Sequence, residues 1–312
     1  MKLSTPHILS INDLSKKDIL TILQTADSFK EISERPIKKV PTLRGKTVVN
    51  CFFEDSTRTR LSFEIAEKRL SADTVNISKS GSAMQKGENL LDTMKNIEAM
   101  RPDIVVIRHS ISGAPMMIAQ AVKSHVINAG DGMHEHPTQA LLDLMTIKEI
   151  KGRMQGLTIG IVGDILNSRV ARSDMLLFRK MGIKVIVGGP QTLIPIGVEE
   201  YGVEVCKDIR EVMPTLDALI LLRIQRERAD ENLFPNLREY ARYFGVSNET
   251  LKTAKDDLTI MHPGPVNRGV EISPEVADGP RSVILDQVTN GVAVRMALLY
   301  LLIGDGSEQK DN

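Results

Sequence analysis

Short apolar runs of strand length alternate with helix-length amphipathic text from one end of this chain to the other. Strands joined through helices run parallel and need both sheet faces covered, so the alternation predicts an α/β fold. Strands are expected at Thr47–Phe53, Thr74–Ile77, Ile104–Arg108 and Val126–Asn128. Helices are expected near Ser15–Phe29, Thr59–Leu70, Asn89–Met100, Pro115–Lys123 and Pro137–Ile150. The polar, glycine-bearing segment Lys151–Gly156 reads as a hinge. Beyond it the alternation restarts, with strands at Thr158–Val162, Lys184–Val187, Ala218–Leu222, Thr259–Met261 and Val283–Leu285. The closing stretch Asp286–Ile303 is helical in pattern and apolar on more than one face. At 312 residues the chain exceeds one typical core. The expected architecture is two doubly wound parallel-sheet domains, residues 1–150 and 151–286, joined by a hinge and interdomain helices. Residues 287–312 are expected to form a C-terminal helix packing back on the first domain.

Open α/β sheets bind ligands beyond the carboxyl ends of their strands. In this chain unusual residues fall there repeatedly. The run Cys51-Phe52-Phe53-Glu54-Asp55-Ser56-Thr57-Arg58-Thr59-Arg60 is the sharpest case. An apolar strand gives way to hydroxyls and arginines, and a helix follows with Phe63, Ala66 and Leu70 on one face. A helix N-terminus exposes unpaired N–H groups and the positive end of the backbone dipole, so cations are disfavoured there. No Glu or Gln stands three residues after Asp55 or Ser56, so no ordinary capping box forms. An external phosphate would suit converging N–H groups, hydroxyls and a guanidinium.

Other strand ends carry further candidates. Arg108-His109 ends one strand, and His136-Pro137-Thr138-Gln139 opens a helix with proline at a favourable first position. On its own His136 also reads as a simple cap, and His134 with His136 lacks the spacing of a metal site. The loop Ser82-Ala83-Met84-Gln85-Lys86 reads as surface, although its lysine could fold over a cleft. Gly160-Ile161-Val162-Gly163-Asp164 lacks the spacing and the downstream acid of a dinucleotide fingerprint. Arg223-Ile224-Gln225-Arg226-Glu227-Arg228 follows the apolar Leu219–Leu222, a position where a guanidinium fork suits a carboxylate. A solvated ion-pair network is its plainer reading. His262-Pro263-Gly264-Pro265 reads as a rigid turn holding backbone carbonyls outward, or as a plain strand-ending turn.

Bulk properties narrow the function classes. Lys plus Arg equals Asp plus Glu, tryptophan is absent and aromatics make up 4% of the chain. Neither a nucleic-acid surface nor attraction to an anionic membrane is expected. The apolar stretch Val292–Ile303 is interrupted by Arg295 and too short to span a bilayer, and no signal peptide is read at the amino terminus. Cys51 and Cys206 both lie in apolar text, as buried thiols of a reducing, cytoplasmic compartment would.

Together, Ser56-Thr57-Arg58-Thr59, His136-Pro137-Thr138-Gln139 and His262-Pro263-Gly264-Pro265 resemble, in order and spacing, the motifs of the transcarbamoylase family. The Arg223-x-Gln225-x-Glu227-Arg228 and Asn267-Arg268-Gly269-Val270-Glu271 patterns are similar to those of its aspartate-using branch. The resemblance implies transfer of the carbamoyl group of carbamoyl phosphate to the α-amine of L-aspartate, in pyrimidine biosynthesis. It implies that Ser56, Thr57, Arg58 and Thr59 hold the phosphate, and that Thr59, Arg108 and His136 face the carbonyl oxygen. Gln139 and the carbonyls of Pro263 and Gly264 would meet the carbamoyl nitrogen or the attacking amine. Arg169, Arg223 and Gln225, with Lys86, would bind the aspartate carboxylates, Lys86 also serving catalysis. Ser82 and Lys86 would come from a neighbouring subunit of a homotrimer, and no cofactor or metal is expected. Association with a regulatory chain or another pyrimidine-pathway enzyme is left open. An ornithine-using relative is the nearest rival. It tends to carry a cysteine in the late His-Pro region, and Arg223 would repel a cationic substrate. A non-catalytic anion binder on the same fold should lack one of Arg58, His136 or Arg223, and all are present.

Overall fold

A computed structural model of the chain describes residues 2–78, 88–224 and 236–303. It separates into two compact units, residues 1–142 with 288–312 and residues 143–287. Each is built on its own all-parallel sheet.

The first unit starts with α1 (Lys16–Glu34), whose N-terminus is closed by a reciprocal box between Ser15 and Asp18. The sheet then alternates β1 (Thr47–Phe52), α2 (Thr57–Arg69), β2 (Asp73–Ser78), α3 (Leu90–Glu98), β3 (Ile104–His109), α4 (Ala114–Ala119) and β4 (His125–Asp131). Strand order is β2-β1-β3-β4. The central strands β1 and β3 are buried almost throughout, as a sheet covered on both faces requires, whereas the edge strand β2 is largely exposed. Val49, Cys51, Phe53, Met94, Ile97, Val105, Ile107, Ile118 and Val126 form one continuous core beneath the sheet.

Helix α5 (Pro137–Lys151) begins in the first unit and ends in the second, and α10 (Ile284–Ile303) returns the chain. The unit boundary falls inside these two helices, and the segment Lys151–Gly156 lies wholly within the second unit. That unit contains β5 (Thr158–Val162), α6 (Arg169–Met181), β6 (Lys184–Gly188), β7 (Glu204–Cys206), α7 (Ile209–Val212), β8 (Ala218–Leu221), α8 (Leu237–Phe244), β9 (Thr259–Met261) and α9 (Pro274–Ala277). Its strand order is β7-β6-β5-β8-β9.

The doubly wound expectation therefore holds in both halves, with two corrections. Val283–Leu285 is not a strand. Ser282 makes only an isolated bridge to Ile260, Val283 donates one bond to Ile260 at 3.0 Å, and α10 starts at Ile284. The apolar text there is the lead-in to a helix, with Val283 buried and Leu285 79% exposed, and periodicity over so few residues does not separate it from a strand. The short edge strand β7 was not anticipated, because Glu204 and Val205 stay exposed and leave no apolar run. Among the described residues no helix is long and apolar enough to cross a membrane.

Helix α2 is tied to its sheet by a buried carboxyl. Glu67 is fully buried, and its Oε2 accepts from Asn50 Nδ2 on β1 at 2.9 Å. Burial pushes this carboxyl up to about 7, against the Asn50 bond that favours the anion. Between its ordinary value of 4.5 and about 7 the unfolded chain releases a proton that the folded chain keeps, so stability falls as pH rises through that window. Glu67→Gln removes the penalty. The variant should match the parent near about pH 4 and exceed it by about 2–3 kcal/mol at about pH 8, read by urea denaturation at both values.

Candidate functional site

In each sheet the chain winds outward in opposite directions from one central pair of strands, β1 and β3 in the first and β5 and β8 in the second. Helices leaving such a pair on opposite sides open a crevice at the strand ends. Both crevices are lined by residues that the sequence singles out.

At the first, β1 leads through Glu54 and Asp55 into α2. Ser56 is the N-cap in extended conformation, but its hydroxyl makes no capping bond, and no acid stands in the first turn. The side chains and N–H groups of Ser56, Thr57, Arg58 and Thr59 thus surround an uncapped helix start, with Thr59 buried and Arg58 exposed. Arg60 points elsewhere, pairing with Glu64 at 3.6 Å one turn along the helix.

Arg108 stands at the end of the neighbouring β3, opposite Phe52. Its Nη2 bonds Glu54 Oε1 at 3.0 Å and its Nη1 donates to the Ala129 carbonyl at 3.3 Å. That carbonyl is available because β3 and β4 slip register: Ile107 faces Asn128, whereas His109 faces Asp131. The extra residue bulges in β4, where Gly130 takes φ 115° and donates to Asn128 Oδ1 at 2.8 Å. Neither Glu54 nor the bulge is distinguishable in the sequence from ordinary loop polarity.

At the end of β4 a buried acid shapes the approach to His136. Asp131 accepts from Gly113 N (2.6 Å), Asn128 Nδ2 (2.8 Å), Glu135 N (3.1 Å) and His134 Nδ1 (3.0 Å). Burial alone would raise its pKa, but these donors outweigh it and hold the carboxyl below the ordinary range. Glu135, also buried, receives bonds from Ser10 Oγ and, at 3.0 Å, from Ile11 N. His136 and Gln139 are thereby fixed at the first turn of α5, both buried, and the Gln139 N–H donates to the His136 carbonyl at 2.9 Å. His134 serves as a partner of Asp131, not as a second site histidine.

One more residue joins these pieces. Arg295, in α10, is 3% exposed; its Nη1 donates to Ser62 Oγ of α2 at 2.9 Å and its Nη2 to Thr138 Oγ1 of α5 at 3.4 Å. Its guanidinium also lies 5.2 Å from the centre of the Phe63 ring. The visible clue was an arginine inside an otherwise apolar stretch.

At the second crevice β5 is followed by Gly163, whose φ of 134° is open to glycine; a Cβ there would lie 2.5 Å from the Leu222 carbonyl oxygen. Asp164 is fully buried and accepts from Asn167 N and Nδ2, both at 3.0 Å. Ser168 then caps α6 by accepting from Ala171 N at 3.1 Å, which makes Arg169 the first helical residue, 5% exposed. Arg223 follows β8 at partial exposure, and Pro263 and Gly264 follow β9, both half-buried. The structure therefore gathers Ser56–Thr59, Arg108, His136 and Gln139 in one unit, and Arg169, Arg223, Pro263 and Gly264 in the other. Ser82, Lys86 and Gln225 lie outside the described residues. Both cysteines are free and buried, and burial pushes Cys51 up to about 12 and Cys206 up to about 11, so neither is a ready nucleophile.

Comparison with known proteins bears on both units. The family model for the carbamoyl-P binding domain of aspartate/ornithine carbamoyltransferases matches residues 6–149, and that for the Asp/Orn binding domain matches residues 155–302. The aspartate carbamoyltransferase catalytic subunit of Desulfosudis oleivorans is 60% identical over 311 residues, covering 100% of both chains. That of Syntrophus aciditrophicus is 60% identical over 307 residues, covering 98% of this chain and 100% of its own. Among solved structures, aspartate transcarbamoylase from Trypanosoma cruzi in complex with carbamoyl phosphate and aspartate superposes with a TM-score of 0.87 at 31% identity, covering 95% of this chain and 96% of that one. The catalytic subunit of M. jannaschii aspartate transcarbamoylase gives 0.84 at 33% identity, covering 98% and 100%.

Replacing Arg295 by methionine should strand the Ser62 and Thr138 hydroxyls in a buried setting. We expect Arg295→Met to lower the unfolding free energy by about 2–4 kcal/mol, measured by urea denaturation.

Proposed function

The chain belongs to the aspartate/ornithine carbamoyltransferase family, and we infer that it transfers the carbamoyl group of carbamoyl phosphate to the α-amine of L-aspartate. One observation carries the reading: each sheet has a helix that leaves its central strand pair with an arginine, and no acidic residue, in its first turn. Two such cationic helix starts, Arg58 on α2 and Arg169 on α6, suit two anionic ligands, a phosphate and a dicarboxylate.

In this reading Ser56, Thr57, Arg58 and Thr59 hold the phosphate against the N–H groups of α2. Thr59, Arg108 and His136 donate to the carbamoyl oxygen, and Gln139 lies at the carbamoyl nitrogen. Arg169 and Arg223, with Gln225, take the aspartate carboxylates, and the Pro263 and Gly264 carbonyls accept N–H bonds from the carbamoyl nitrogen or the incoming amine. The neutral amine attacks the carbonyl carbon, negative charge builds on its oxygen, and the C–O bond to phosphate breaks as that charge returns. Departing phosphate takes the amine proton. Alignment of the two ligands and donors aimed at the developing oxyanion supply the rate.

Thr138 Oγ1 lies 3.4 Å from His136 Nδ1. A hydroxyl donating there leaves Nε2 as the N–H that faces substrate, so His136 acts as a hydrogen-bond donor. Ser82 and Lys86 would reach the site from a neighbouring copy, which makes a cytoplasmic homotrimer the working assembly, with Lys86 meeting aspartate.

His136→Ala should therefore lower kcat by about 10²–10³-fold, with aspartate KM changed far less. Turnover near that of the parent would remove His136 from the oxyanion. Carbamoyl phosphate offered with aspartate and with ornithine in parallel assays tests the substrate itself. Carbamoyl aspartate should form and citrulline should not, because Arg223 meets a cationic side chain unfavourably.

A further inference from the structure

The His262-Pro263-Gly264-Pro265 turn is held by a network in which every bond starts or ends on a side chain that the reaction scheme leaves unused. His262 is 2% exposed. Its Nδ1 accepts the Gly264 N–H at 2.8 Å, so that ring nitrogen carries no proton and Nε2 bears the N–H. Nε2 lies 3.1 Å from Oε1 of Glu271, which is 1% exposed. The same Oε1 accepts the Asn267 N–H at 2.6 Å. One carboxyl oxygen thus closes both ends of the segment, the histidine before the turn and the backbone after it. The entry is anchored separately, by the His262 N–H donating to Gln287 Oε1 at 2.9 Å and Gln287 Nε2 donating to Asp143 Oδ1 at 2.6 Å.

We propose that Glu271 is a positioning residue for carbamoyl transfer, fixing the tautomer and ring plane of His262 so that the Pro263 and Gly264 carbonyls are set for the nitrogens of the reaction. The proposal rests on the carbamoyl-transfer reading above. Its physical content is directional. A histidine that lost the Glu271 acceptor could place its proton on Nδ1, where it would face the Gly264 N–H donor-to-donor and force the turn to rotate. Both bonds to Glu271 converge on one oxygen, so a glutamine can reproduce them and an apolar side chain cannot.

Two measurements decide it. In the parent protein, nitrogen NMR of ¹⁵N-histidine should show His262, identified by its absence in His262→Asn, with the proton on Nε2 and unprotonated Nδ1 in the neutral range. A protonated Nδ1 in that range overturns the proposal, and this reading needs no variant of Glu271 to fold. In kinetics, Glu271→Leu should lose on the order of 10²-fold in kcat with aspartate KM within about twofold, the signature of misplaced reacting atoms. Glu271→Gln should recover most of that loss and keep the Nε2–H tautomer. Equal damage in the two variants, or an active Glu271→Leu, overturns it. Should the parent itself form no carbamoyl aspartate, the functional reading falls, while the ring-nitrogen shifts still report on the network.

Discussion

A buried guanidinium holds the first crevice together. Arg295 reaches Ser62 on α2 and Thr138 on α5 from a third helix, and lies against the Phe63 ring. Burying a cation is costly unless its donors are satisfied, so the arrangement persists only where several acceptors converge. Its effect is geometric. Ser62 stands on the helix that begins at Ser56, and Thr138 follows His136 by two residues. The helix start suited to a phosphate and the histidine suited to an oxyanion are therefore braced against a common point. A rigid frame of this kind is what catalysis by alignment demands, since small errors in placement cost large factors in rate.

The same logic explains why the candidate site residues stand at the strand ends and not on the faces of the sheets. Each central strand pair sends its helices in opposite directions, leaving uncovered N–H groups, carbonyls and side chains at one end only. Strands β1, β3, β5 and β8 can be apolar along nearly their whole length because polarity is concentrated in the residues just past them. The bulge between β3 and β4 shows how finely that end is adjusted. One extra residue in β4 turns the Ala129 carbonyl toward Arg108, while Glu54 takes the other side of the guanidinium. An arginine fixed by two acceptors presents its remaining donors in a defined direction.

How much of this could be read beforehand follows from the range of the interactions. The two sheets and most of their strands were legible, because burial on both faces writes continuous apolar runs into the sequence. So were Ser56–Thr59 and His136, since each lies in an unusual local pattern. The start of α10 was misread, because a few apolar residues do not reveal their period, and β7 left no apolar trace. Glu54 and Arg295 act through partners distant in sequence or are indistinct among loop charges. Ser62 and Arg295 are 233 positions apart, and no local pattern records their meeting. Candidate ligand contacts can betray themselves locally; the residues that hold them in place do so mainly in three dimensions.

Two histidines in the chain make this point from opposite sides. Each has a partner at Nδ1, the Thr138 hydroxyl at 3.4 Å for His136 and the donating Gly264 N–H for His262, and a donor at that nitrogen leaves the ring proton on Nε2. The consequences diverge because of what lies beyond Nε2. For His262 it is the Glu271 carboxyl, which completes a closed set of internal bonds and turns the ring into a strut. For His136, at the mouth of α5, the same N–H is in the proposed reaction the donor to an oxygen acquiring charge. The same ring chemistry thus gives a strut where a buried carboxylate faces Nε2, as at His262, and in the proposed reaction it gives a donor aimed at the developing oxyanion, as at His136.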